Sequence, residues 1–146
     1  MMQRVCFDTC VIINAFQGKD KELSDACLDM LSTSKLLLSD LHHLELLPKP
    51  QRNIAGTDPK LRNIAEHELK FIKEIFGQAE LFELNLADAV KIGIRLAQEF
   101  NIKPLDALLL AAAKIGKADI FLTTESRRSP ILRVPEDWLK VQTLAL

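Results

Sequence analysis

The sequence has no tyrosine, one tryptophan and 5% aromatic residues in all, so no row of exposed rings is available to stack unpaired bases. Most of its seven phenylalanines fall in apolar stripes instead. Cysteine is scarce as well: Cys6, Cys10 and Cys27 are odd in number and form no C-x2-C pair. That excludes a disulfide framework and a zinc knuckle, and it predicts a reducing, cytoplasmic setting. Neither sign of charge is in excess, since 19 Lys+Arg against 20 Asp+Glu give a formal net charge of -1. No global field announces a nucleic-acid partner, and any basic contact surface must be local. Arg4 and Asp8 arrive before a long apolar run can form, so neither a secretory signal nor a membrane span is expected. Internal repeats and low-complexity segments are missing too.

What remains is 146 residues with 48% hydrophobic content, enough for one sizeable core and a single domain over 1–146. Val5 to Phe7 reads as a short strand that stops at Asp8-Thr9, after which Val11, Ile12, Ala15 and Phe16 keep helical spacing. A second helix is expected from near Leu23, then a buried strand over Lys35 to Ser39. Asp40 takes the N-cap place of a short helix carrying Glu45, which Pro48 and Pro50 close. The stretch Pro48 to Lys60, with three prolines and a glycine, predicts a mobile surface loop.

Leu61 to Phe76 follows the 3.6-residue period with Gly77 as its C-cap, and Ala79 to Leu84 reads as a weak strand. Leu86 to Phe100 is a further helix stopped at Asn101. Pro104 opens a helix, Leu105 to Ile115, that is apolar nearly all round and so belongs inside the fold, with Asp106 as its lone early charge. Ile120 to Thr123 reads as an interior parallel strand, followed by the acid Glu125, and Trp138 to Val141 as a final edge element. Strands alternating with long helices predict an α/β fold: a three-layer α/β/α sandwich around a mostly parallel sheet. Such sheets bind ligands beyond the carboxyl ends of their strands.

The acids fall on that edge. Asp8 and Glu125 follow two strands, Glu45 lies on the helix after a third, and Asp106 sits in the first turn of the buried helix. Singly each has a plain alternative: Asp8 and Asp106 suit helix starts, and Glu125 suits a solvated turn. Together, carboxylates crowded into a half-buried edge repel one another and call for a cation. Hard, oxygen-seeking Mg2+ or Mn2+ fits that donor set, and a water on such a metal can attack a phosphodiester.

The segments Val-Cys-Phe-Asp8-Thr-Cys-Val-Ile, the helix carrying Glu45 after a strand, Lys103-Pro-Leu-Asp106-Ala-Leu-Leu-Leu-Ala-Ala-Ala and Ile-Phe-Leu-Thr123-Thr124-Glu125 resemble the successive motifs of PIN-domain ribonucleases, in order and over almost the whole chain. The resemblance implies that Asp8, Glu45 and Asp106 bind metal, that Glu125 takes the final acidic position, and that the Thr123 hydroxyl helps orient it. The family usually has Asp where this chain has the longer Glu125, which leads us to expect one firmly held metal rather than two. Single-domain PIN proteins of this size are similar to VapC toxins, which cleave RNA and are held inactive by an antitoxin; RNA and an antitoxin are therefore the expected partners.

Thr9, Thr123, Arg127 and Arg128 are expected at the substrate, with Lys49 and Arg52 facing RNA phosphates from the preceding loop. His42 and His43 read as an exposed pair, His67 as helix surface, and Cys6 and Cys10 as packing residues. A homodimer or antitoxin interface is expected on Leu23 to Leu31 and Leu61 to Phe76. Two rivals stay open. A haloacid-dehalogenase-like phosphatase also places an Asp after its first strand, although it usually wants a second Asp where Cys10 stands. A PIN-like module that binds RNA or protein without cutting is the other.

Overall fold

The computed structural model describes residues 2–145. Three largely buried strands and two edge strands alternate with helices: β1 (Arg4–Phe7), α1 (Thr9–Gln17), α2 (Lys21–Thr33), β2 (Lys35–Leu38), α3 (Asp40–Leu46), α4 (Pro48–Ala55), α5 (Pro59–Gln78), β3 (Glu80–Leu81), α6 (Leu86–Phe100), α7 (Pro104–Ile115), β4 (Ile120–Thr123), a 3-10 turn (Pro130–Arg133) and β5 (Lys140–Thr143). The sheet order is β3-β2-β1-β4-β5 and every pairing is parallel. The chain builds outward from β1 to one edge and then returns to lay β4 on the other side of β1. That reversal makes the carboxyl ends of β1 and β4 the crevice of the sheet.

Alternation along the strands supplies two cores. Val5, Phe7, Leu36, Leu38, Ile120 and Leu122 pack with Ile12, Leu31, Ile72 and Phe76 from α1, α2 and α5. Cys6, Leu37 and Phe121 point the other way, onto Leu96 of α6 and the α7 residues Ala107, Leu109, Leu110 and Ala113. This is the three-layer sandwich, and it explains why α7 is apolar nearly all round: it lies on the sheet with α6 over its back. The left-handed Asn101 (φ 56°) ends α6 where a stop was expected.

Several local expectations are corrected. Pro48 to Lys60 is not a loop: it forms α4 and the start of α5. Prolines in a first helical turn lack only an N–H that has no partner there, and Pro50 is buried. Ser39, not Asp40, caps α3, and α2 starts at Lys21 under an Asp20 cap. Gly77 lies inside α5, which runs on to Gln78, and the strand expected over Ala79 to Leu84 is reduced to Glu80–Leu81. His42 is fully buried rather than exposed, while His43 stacks on Phe76.

Candidate functional site

Asp8 is where β1 stops. Its backbone N–H donates to the Leu122 carbonyl at 2.8 Å, which holds the end of β1 against β4, and its side chain is 5% exposed. The hydroxyl of Thr123, last residue of β4, donates to Asp8 Oδ2 at 2.9 Å. The Thr123 hydroxyl oxygen in turn accepts the Glu125 N–H at 3.2 Å. Thr123 was expected to orient the Glu125 carboxylate; instead it binds the Asp8 carboxylate and the Glu125 backbone. The Glu125 carboxylate is held by the Ser129 hydroxyl, four residues on.

Asp106 enters from the first turn of α7. Carboxylate oxygens of Asp8, Asp106 and Glu125 all lie within 4.8 Å of one another. Glu45 stands one step outside this trio, on α3, where its Oε2 accepts the Thr9 hydroxyl at 3.1 Å. Its other oxygen, Oε1, is buried and has no hydrogen-bond partner. Of the acids, Glu125 is thus gathered into the cluster although its sequence signal was the weakest, while Glu45 borders it.

The electrostatics follow from crowding. Burial pushes the Asp8 carboxyl above its ordinary range, and Glu125 adds to this; the bonds from Thr123 and Cys10 pull the other way. Burial, then Glu125 and Asp8, push Asp106 up to about 6, with Lys103 opposing. Burial raises Glu45, and Asp8 and Asp106 raise it further, against the Thr9 bond. Three carboxylates within one contact sphere and a fourth with an orphaned buried oxygen fit a hard divalent cation, because such an ion satisfies oxygen donors that form no salt bridge among the described residues.

A supporting shell escaped the sequence reading. Cys10 Sγ lies 3.5 Å from the Thr123 hydroxyl and accepts the Thr124 N–H at 3.4 Å. Burial, then Asp8, pushes that thiol up to about 11, so it packs and bonds rather than reacts. Asn14 donates to the Cys10 carbonyl at 2.8 Å and to the Thr124 hydroxyl at 3.2 Å. Asn14 and Ser129 each lie four residues from a residue they hold, a spacing that signals contact only once a helix or tight turn is granted.

Lys103, Pro104, Asp106, Glu125, Ser129 and Pro130 border a groove of about 510 Å3 leading off the acids. Arg127 and Arg128 are exposed beside it, and neither forms a salt bridge among the described residues. Lys49 and Arg52 are exposed on α4. A second groove of about 520 Å3 lies at the far end of α7, against Lys114 and Trp138, and contains none of the four acids.

A comparison with curated protein sequences finds no match. Among solved structures the fold is similar to VapBC2 from Rickettsia felis bound to a promoter DNA fragment, at TM-score 0.66 and 13% identity over 96% of this chain and 98% of that one. A toxin-antitoxin complex from Klebsiella pneumoniae gives TM-score 0.65 and 18% identity over 95% and 96%. FitAcB from Neisseria gonorrhoeae gives 0.62 and 19% over 94% and 95%. The family profile for the PIN domain matches residues 5–135, a span that holds Asp8, Glu45, Asp106 and Glu125, and it answers the haloacid-dehalogenase alternative. With motif order, sheet topology and acidic edge in agreement, the chain belongs to the PIN domain family.

Proposed function

We propose that this chain is a metal-dependent endoribonuclease and the toxin of a toxin–antitoxin pair. The observation that carries the reading is the meeting of Asp8, Asp106 and Glu125 within 4.8 Å at the sheet's crevice. A bound Mg2+ or Mn2+ would supply charge neutralisation and an activated water for phosphodiester hydrolysis. Asp8, Asp106 and Glu125 would hold it, and Glu45 Oε1, buried without a partner, is the remaining donor.

The rest falls to the chain's own groups. Thr123 keeps Asp8 aimed at the trio and Ser129 keeps Glu125 there. Arg127 and Arg128 are free to meet RNA phosphates at the mouth of the groove, and Thr9 keeps Glu45 turned towards Asp8. Lys103 offsets part of the repulsion on Asp106.

The toxin role draws on structures of the same fold determined as toxin–antitoxin complexes. Leu28 on α2 and Leu61 and Ile64 on α5 are exposed apolar side chains, as a homodimer or antitoxin interface on those helices requires. Among the described residues no helix is long and apolar enough to cross a membrane.

The test is cleavage of single-stranded RNA by the purified chain with Mn2+ or Mg2+. Wild type should cut, Asp8→Asn should not, and a partner encoded beside the gene should block cutting. Equal inertness of wild type and mutant across RNAs and metals would leave the non-cutting binding module as the better account.

A further inference from the structure

His42 is fully buried on α3, one turn before Glu45. Both ring nitrogens are engaged: the Ser39 N–H lies 3.1 Å from Nδ1, and Nε2 lies 2.6 Å from the Phe7 carbonyl oxygen. A backbone N–H can only donate and a carbonyl can only accept. Nδ1 must therefore be bare and Nε2 must carry the hydrogen. Burial, which pushes the imidazole down to about 4, keeps the ring in that neutral form near neutral pH.

The peptide so gripped is the one joining Phe7 to Asp8. His42 holds its carbonyl from the α3 side, and Leu122 of β4 takes its N–H at 2.8 Å from the other. One residue further on, Thr9 donates to Glu45 at 3.1 Å. Two rungs thus connect α3 to the end of β1. The Thr9 rung joins two rotatable side chains, whereas the His42 rung runs from a planar ring to the backbone and has far less freedom.

We infer that His42 is a positioning residue that sets the separation of the Glu45 and Asp8 carboxylates through its Nε2 bond to the Phe7 carbonyl. The inference rests on the reading of those acids as a cation site. The ring touches neither carboxylate nor the groove. It acts by fixing the start of α3 against β1, so that Glu45, three residues along the same helical face, borders the trio without joining it.

Two amides separate this role from simple core filling. Gln can put its amide N–H where Nε2 stands and keep the Phe7 bond, whereas Asn matches only the Nδ1 acceptor beside Ser39. Mn2+ affinity, read by titrating the free-ion EPR signal, is measured for wild type, His42→Gln and His42→Asn, with melting temperatures alongside. Gln should stay within about threefold of wild type and Asn should lose about tenfold or more, the usual range for groups that orient metal ligands. The 15N spectrum of wild-type histidines should show the neutral Nε2–H tautomer.

Equal losses in both variants, no loss in either, or an Nδ1–H tautomer would overturn the inference. The wild type tests the underlying reading separately. Mn2+ binding with the Gln/Asn split but no RNA cleavage leaves His42 in place and removes the nuclease assignment. A wild type that binds no Mn2+ overturns both.

Discussion

The Thr123 hydroxyl donates to Asp8 Oδ2 across 2.9 Å, and both residues are buried. This bond joins the ends of the two strands at which the sheet reverses its order, so the first and last acidic motifs are locked together by one oxygen. Thr123→Val preserves the shape but strips Asp8 of a donor and Glu125 N–H of its acceptor. Denaturant unfolding should show a loss of about 1–3 kcal/mol, the cost of leaving buried partners unmade. Thr123→Ser should recover most of it. A Val variant as stable as wild type would show that the bond contributes nothing net.

The crowded acids give the metal-free protein a pH signature. Asp106 titrates at about 6 when folded, raised above its ordinary 3.8 by burial and by its acidic neighbours. Between those values the folded chain retains a proton that the unfolded chain has released. The stability this group contributes is therefore complete below about pH 4 and is lost as pH rises through about 6. Asp8 and Glu45, raised in the same direction, add to the trend. Melting of chelator-treated protein across that window should be flatter for Asp106→Asn than for wild type; an equal or steeper fall would contradict the crowding of charge around Asp106.

Divalent cation should reverse that penalty. Neither core uses a metal, so chelation should leave far-ultraviolet circular dichroism unchanged. Saturation with Mn2+ at a hundredfold excess over Kd should add about 2.7 kcal/mol of stability. Asp8→Asn should remove most of this gain, and a shift that survives in the mutant would place the cation elsewhere.

Arg127 and Arg128 are exposed and without ion-pair partners among the described residues. Replacing both by Ala should weaken single-stranded RNA binding evenly across sequences. It should also reduce the slope of log affinity against log salt by about 1.4, roughly 0.7 for each phosphate that is no longer neutralised. An unchanged slope would take both arginines off the path of the RNA.

Ser129→Ala should free the Glu125 carboxylate from its neighbour while leaving β4 intact. Mn2+ affinity should fall by about two- to tenfold, the worth of one ordinary hydrogen bond, with little change in melting temperature. No change in affinity would mean that Glu125 is held well enough by the turn itself.

Periodicity and punctuation determined most of the architecture from the sequence by itself. The β-prone runs at Val5 and Ile120, the helical spacing of Leu86 to Phe100 and the all-round apolar α7 follow from side-chain pattern, which local geometry converts directly into strand or helix. The acidic motifs were legible for the same reason, since Asp8 and Glu125 sit where strands stop. Local signals failed where two structures share one composition. Pro48 and Pro50 mark a loop or a helix start equally well, and packing of Pro50 into the fold chose the helix.

Only the tertiary structure could decide which acids meet. Asp8 and Glu125 are over a hundred residues apart along the chain and come together because β4 is laid beside β1 by the reversal of strand order. That placement is long-range: motif order suggests the shared edge, and the distances between the acids are set by the sheet. His42 makes the point most sharply: two adjacent histidines look alike in sequence, yet one faces the Phe7 carbonyl inside the protein and the other stacks on Phe76. Consecutive helical residues point about 100° apart, and what lies in each direction is fixed by the fold.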